Sequence, residues 1–227
     1  MLTKINCFIR ILSLILIFLL FQFIGFGQAD TTKLVRYNPG FKFNEGIFLN
    51  FQQVKNNAPI PKSRIVTDVR LNDLDFFEKV LREKKVSYFD DYGLKQEVNT
   101  NEIWGYSRQG SIYIQWGEMF NRIPVIGSIC HFVANIRVYN DRYYDPYYYN
   151  YYSTPAPTST SELRQLMLDF ETGKVIEYNY ENLLIILMRD EELYEEYNSL
   201  KKRKKRDQKF LYVRKYNEKH PLYIPIH

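Results

Sequence analysis

Two stretches of alternation constrain this chain most. In "CHFVANIRVY", residues 130–139, Cys130, Phe132, Ala134, Ile136 and Val138 are apolar, and His131, Asn135 and Arg137 fall between them. In "LRQLMLDFETGKVIEYNY", residues 163–180, Leu166, Leu168 and Phe170 alternate before Glu171-Thr172-Gly173-Lys174, and Ile176, Tyr178 and Tyr180 alternate after it. A strand sends successive side chains to opposite faces. The first run is therefore a strand with Cys130 toward the core and His131 on the other side. The second is a hairpin folded about a Gly-containing turn.

The stretch from Val86 to Tyr139 has the same character. "VSYF", "IWGYS" and "SIYIQW" are separated by Asp90-Asp91-Tyr92-Gly93 and Arg108-Gln109-Gly110. Short runs rich in Ile, Val, Tyr and Trp between such turns indicate antiparallel sheet. Upstream, Glu45 to Pro59 starts as a strand and ends in a turn cluster. "NDLDFFEKVLREKKV" places Leu74, Phe77 and Leu81 at helical spacing, with Asp75-Phe76-Phe77-Glu78 matching a capping box. Asp73, Asp75 and Glu78 are then helix-start acids rather than metal ligands. After Asn182 the pattern is helical, with Leu193, Tyr197 and Leu200 on one face, acids early, bases late and Pro221 as the stop. The expected fold class is α+β. One domain over 30–227 holds an antiparallel, twisted or barrel-like sheet from about Gly46 to Tyr180, a short helix near Asp75 to Lys84, and a C-terminal helical region from about 182.

The N-terminus carries Lys4 and Arg10, an apolar run from Ile11 to Phe21, and a small-residue exit, Gly25-Phe26-Gly27-Gln28-Ala29. These are the parts of a secretory signal peptide over 1–29, cleaved after Ala29 or Gly27. The competing reading is an inner-membrane anchor over 11–26, slightly shorter than the ~17–25 residues of a spanning helix. Cys7 precedes the apolar run, which excludes a lipoprotein. Export implies a periplasmic, cell-surface or extracellular protein. Without residues 1–29 the formal charge falls from +5 to +3. Cys130 is then the one thiol, so no internal disulfide exists and stability rests on apolar burial.

Neither a Gly-x-Ser-x-Gly elbow, a phosphate loop, a His-Glu-x-x-His motif nor a paired-cysteine zinc spacing occurs. Cys130 and His131 point apart on a strand and do not make a nucleophile and its base. No catalytic residue, metal or cofactor is expected. The basic run Lys201, Lys202, Arg203, Lys204, Lys205 and Arg206 is the strongest charge feature. In an exported protein it cannot serve nucleic acid, and it fits acidic glycans, lipid headgroups or an acidic partner, or else a solvated helix face with snorkelling stems. Trp104, Trp116, Tyr106 and Tyr113 suggest a sugar platform, against core or edge-covering roles.

Residues 140–161 form a tyrosine-rich insertion between two strands that would pair as a long hairpin. Eight of the 20 tyrosines lie between Tyr139 and Tyr152, too many aromatics for ordinary disorder, while Ser153 to Ser161 has linker composition. Tyr143, Tyr144, Tyr147, Tyr148, Tyr149, Tyr151 and Tyr152 are candidate contacts for a macromolecular partner, or the segment folds back on its own sheet. Finally, "GIFLNFQQVKNNAPI", "NEIWGYSRQGSIYI", "FNRIPVIGSICHF", "LDFETGKVIEY" and "VRKYNEKHPLY" resemble a group of signal-peptide-bearing proteins of Bacteroidota-type bacteria with no known activity. The tyrosine run departs from that group. The resemblance implies no catalytic residue. The expected function is a non-enzymatic binding or scaffolding component of the cell envelope, meeting an envelope protein or an acidic glycan or lipid surface, and the membrane only peripherally if the leader is removed. The alternatives are a glycan- or lipid-headgroup-binding module using the basic helix and the Trp/Tyr strands, and a hydrolase whose acids cannot be paired from sequence.

Overall fold

Alternation in the chain is satisfied by stacking sheets on one another and on helices. The computed structural model describes residues 33–139 and 159–226. The expected leader over 1–29, or anchor over 11–26, and the seven candidate tyrosines lie outside the described residues. The described part is α+β, with strands in antiparallel sheets, and the chain from Leu34 onward forms one compact unit.

The described strands are β1 (Lys33–Arg36), β2 (Gly46–Phe48), β3 (Ile65–Val66), β4 (Lys85–Phe89), β5 (Lys95–Asn99), β6 (Gly105–Arg108), β7 (Ser111–Trp116), β8 (Met119–Arg122), β9 (Ile129–Tyr139), β10 (Ser159–Asp169), β11 (Val175–Glu177) and β12 (Tyr223–Ile226). They form four sheets, ordered β2-β6-β7-β8, β11-β10-β9, β3-β4-β5 and β1-β12. Where a twisted or barrel-like sheet was expected, the strands divide among these sheets and no barrel closes. The division follows from two-sided burial. Ile112 and Ile114 of β7 share a core with Cys130, Phe132, Leu166 and Leu168. On the opposite face of the four-stranded sheet, Ile47 and Tyr106 meet Phe76, Phe77, Val80 and Val86. Behind the β9–β10–β11 sheet, Ile129 and Met167 meet Leu183, Ile186, Leu187, Leu193, Tyr197, Tyr212 and Tyr216.

The helices are α1 (Phe51–Lys55), α2 (Phe76–Val80), α3 (Tyr180–Leu187), α4 (Glu191–Asn198), α5 (Lys202–Asp207) and α6 (Lys209–Lys219). Helix α1 stands where a turn cluster was expected. Asn50 caps it by accepting from the Gln53 N–H at 3.0 Å, and the Gln53 side chain reaches back to the Leu49 N–H at 2.6 Å, a near relative of the capping box. The capping box expected at Asp75 is absent: the Asp75 side chain makes no cap bond. Asp73 is the organising carboxylate instead, accepting from the Asp75 N–H at 2.9 Å and from the Lys79 ammonium. Helix α2 is correspondingly shorter than expected, and Leu74 lies outside it, 76% exposed. The C-terminal helical region is opened by Asn179, which accepts from Asn182 N–H, and broken inside by Asp190, which accepts from Leu193 N–H and starts a new helix.

Strands β9 and β10 pair antiparallel over their whole length, from Ile129↔Asp169 to Tyr139↔Ser159. Ser159 to Ser161, expected to be slack, are therefore strand. The turn after β10 closes the second hairpin, with Leu168↔Val175 and Leu166↔Glu177 in register. Gly173 adopts φ 75° there, a left-handed conformation that a side chain resists, and a Cβ would lie 2.5 Å from the Phe51 ring.

Candidate functional site

The basic run forms one exposed helical turn. Lys201 is the N-cap residue of α5, and no residue of that helix is buried. Packing alone does not hold the turn down. Tyr197, fully buried in the core behind β10, donates its hydroxyl to the Lys205 carbonyl at 2.7 Å, and Lys205 Nζ donates to Asn198 Oδ1 at 3.0 Å. Lys202 Nζ and the Arg206 guanidinium sit 5.6 and 5.8 Å from the centre of the Tyr180 ring, within the range of cation–π attraction. Glu181, hydrogen-bonded by Tyr180 and facing Lys202 and Arg206, has its carboxyl held below the usual range. Among the described residues none of the six cations from Lys201 to Arg206 has a carboxylate within ion-pair distance. By contrast Arg189, Arg214, Lys215 and Lys219 each reach one or more.

The turn continues into an aromatic strip that sequence reasoning did not assemble. Lys209, at the start of α6, lies 4.4 Å from the centre of the Tyr178 ring and donates to the Tyr178 carbonyl at 3.2 Å. His131 meets Tyr178 edge-on at 4.6 Å and Phe210 at 6.3 Å. Its Nε2 is 3.4 Å from Gln165 Oε1. Burial, with Lys209 adding to it, pushes the His131 pKa down against the opposing Gln165 hydrogen bond, and the downward shift favours the neutral ring. Burial raises the Tyr178 hydroxyl to about 12. The one signal in the sequence was that Tyr178 and Tyr180 alternate like strand residues. In the structure Tyr180 opens a helix, which turns both rings toward the bases that follow.

A second polar cluster lies beside a cleft of about 270 Å³ lined in part by Ser128, Glu171, Arg189, Tyr216 and His220. Buried Asp169 accepts from Arg189 at 2.9 and 2.7 Å and from the Thr172 hydroxyl at 2.6 Å, and despite its burial these bonds hold its pKa down. Buried Asp190 accepts from the Lys219 ammonium at 2.8 Å and pairs with His220 Nε2 at 2.6 Å. Its pKa falls to about 2 although burial opposes this, because bonds from Lys219, Leu193 and His220 outweigh the desolvation. The Ser128 hydroxyl donates to the His220 carbonyl rather than to its ring, so serine, histidine and aspartate are neighbours without forming a nucleophile–base pair. Burial raises the Cys130 thiol to about 12, which keeps it protonated and inert. Among the described residues no group of three or more His, Cys, Asp and Glu side chains could hold a metal.

The expected sugar platform does not exist as one surface. Trp104 and Trp116 pack against the core between the two larger sheets, while Tyr106 and Tyr113 belong to the core on the opposite face, where their rings stack at 4.6 Å. No helix among the described residues is long and apolar enough to cross a membrane. Comparison with protein-family models, with curated proteins and with solved structures finds no match to this chain.

Proposed function

We propose that this protein is an exported, non-enzymatic component of a bacterial cell envelope that docks on a polyanionic surface through Lys201–Arg206, and that it belongs to the signal-peptide-bearing group its sequence resembles. The observation that carries this reading is the excess positive charge of the turn. Among the described residues its six cations have no carboxylate within ion-pair distance, with Glu181 the acid facing two of them, whereas Arg214, Lys215 and Lys219 of α6 are each paired with an acid. Charges left unpaired in water attract a polyanion at long range, and the attraction weakens as salt screens it. The test is replacement of Lys201–Arg206 by glutamine, followed by binding to immobilised heparin and to phosphatidylglycerol vesicles over a salt series. A loss of about tenfold or more at low salt is expected, on the order of 1 kcal/mol per basic residue at an anionic surface being available. Equal binding by both proteins at every salt concentration would refute the reading.

A second contact is favoured by the β9–β10 register. Because Tyr139 pairs with Ser159, the tyrosine-rich sequence is the connection of one long hairpin. We infer a partner-binding role for Tyr143, Tyr144, Tyr147, Tyr148, Tyr149, Tyr151 and Tyr152. Deleting 140–158 is expected to abolish capture of an envelope partner while the melting temperature holds. Unchanged capture would exclude it.

A further inference from the structure

Resting on the reading of α5 as a polyanion contact, we infer that the polyanion is an anionic lipid bilayer, and that the outward face of the β9–β10 ribbon with Phe210 enters it beside the basic turn. Cross-strand partners share a face. With His131↔Met167, Val133↔Gln165, Asn135↔Leu163 and Arg137↔Ser161 in register, one face carries His131, Val133, Asn135 and Arg137 from β9 and Met167, Gln165, Leu163 and Ser161 from β10. The one carboxylate of these two strands on it, Asp169, is buried at the covered end in its pair with Arg189, and Arg137 at the far end pairs with Glu118. Glu162, Arg164 and Glu177 form their ion pairs on the opposite face.

Near the helices this face is covered, with Met167 fully buried. Further out it presents Val133 at 43% exposure and Leu163 at 77%, and Phe210 adds a ring 49% exposed at the His131 edge. Ring and cation contacts run from Phe210 to His131, from His131 to Tyr178 and from Tyr178 to Lys209, so the apolar edge at Phe210 adjoins the cations. Neighbouring Tyr180 carries Lys202 and Arg206. A cationic, aromatic and aliphatic sequence of this kind matches the headgroup, interface and acyl layers of an anionic membrane. A soluble acidic glycan would use the cations and leave Leu163, Val133 and Phe210 in water. It would also find the Tyr178 ring occupied by Lys209 and His131 rather than open for stacking. Neutral His131 can enter the interface without the cost of carrying a charge.

The experiment compares three full-length proteins: wild type, the double variant Leu163→Gln with Phe210→Gln, and the Lys201–Arg206 glutamine variant. Each is tested on phosphatidylglycerol-containing vesicles, on pure phosphatidylcholine vesicles and on heparin, with thermal melting as the control for folding. Both apolar side chains are substantially exposed, so the double variant is expected to melt as wild type. It should lose about tenfold in affinity for the anionic vesicles, bind heparin unchanged, and lose the part of vesicle binding that survives high salt. Wild-type affinity of the double variant for anionic vesicles would overturn the bilayer inference and leave the polyanion reading standing. So would binding of wild type to heparin but not to anionic vesicles, or an equal loss by the double variant on heparin. Binding of the glutamine variant to both anionic probes as wild type would overturn the polyanion reading itself.

Discussion

Helices α5 and α6 are sequence neighbours rich in the same residues, and they use them in opposite ways. In α6, Arg214 pairs with Glu218, Lys215 with Glu196, and Lys219 with Asp190 and Glu192. Asp190 is almost fully enclosed, so its charge is spent on tying α4 to the end of α6. In α5 Lys202 and Arg206 lie over the Tyr180 ring with Glu181 near them, Lys205 bonds the Asn198 side chain, and among the described residues no cation of the turn has a carboxylate within ion-pair distance. Positive charge that meets a buried carboxylate is structural, and positive charge left without an ion pair is available to a partner. A charge run in a sequence acquires one meaning or the other only through what the fold brings opposite it.

The sharpest way to break the comparison is to remove the buried carboxylates. Asp169→Ala removes the buried partner of Arg189 and of the Thr172 hydroxyl, and is expected to cost about 3 kcal/mol in denaturant unfolding, at the low end for a broken buried pair because Arg189 is partly exposed and keeps Glu171. Asp190→Ala removes a helix cap and two charge-assisted bonds together, and should cost about 2 kcal/mol by the same measurement. The acid limb of stability should follow the same two groups. Both carboxyls titrate below their unfolded values, so their stabilising contribution is complete above about pH 4. It is lost as the pH falls from there through the folded value, about 2 for Asp190. Melting temperature measured from pH 7 downward should hold to about pH 4 and then drop, and Asp190→Ala should flatten that drop. At the other end of the scale, converting Lys201–Arg206 to glutamine should move stability by no more than about 0.5 kcal/mol per residue, as exposed substitutions do, while it removes polyanion binding. A large loss of stability there would erase the distinction between the two helices.

Strand faces were the most legible part of the molecule. Cys130 is buried and His131 lies on the opposite face, as their alternation requires, and the turn at Glu171–Lys174 joins paired strands. What sequence could not supply was the number of layers. In "QLMLDF" that second face reads Gln165, Met167, Asp169, the mixed pattern of a solvent side, yet Met167 is covered by helices and Asp169 is satisfied by Arg189 twenty residues later. The first break in the C-terminal helical region was written in Asp190, but helical periodicity carries across such a cap and conceals it. Asp75 failed as a cap because Asp73, two residues earlier, organises the same turn. The basic run was visible as charge. Its isolation was not, since Glu196 and Asp190 lie nearer to it in sequence than to α6, and only the packing of α4 against α6 decides which bases they serve. The aromatic strip joins Tyr178 to Lys209, 31 positions apart, and no local pattern announces such a pair.

The pairing of Tyr139 with Ser159 has one more consequence. Two strands zipped to their last residues bring both ends of the intervening 140–158 sequence to adjacent points on a finished sheet. Closing a loop between fixed neighbours costs only about 0.6 kcal/mol more for each doubling of its length. A change in the length of that sequence therefore adds little to the cost of folding the cores beneath it, whose register is set by β9 and β10 themselves.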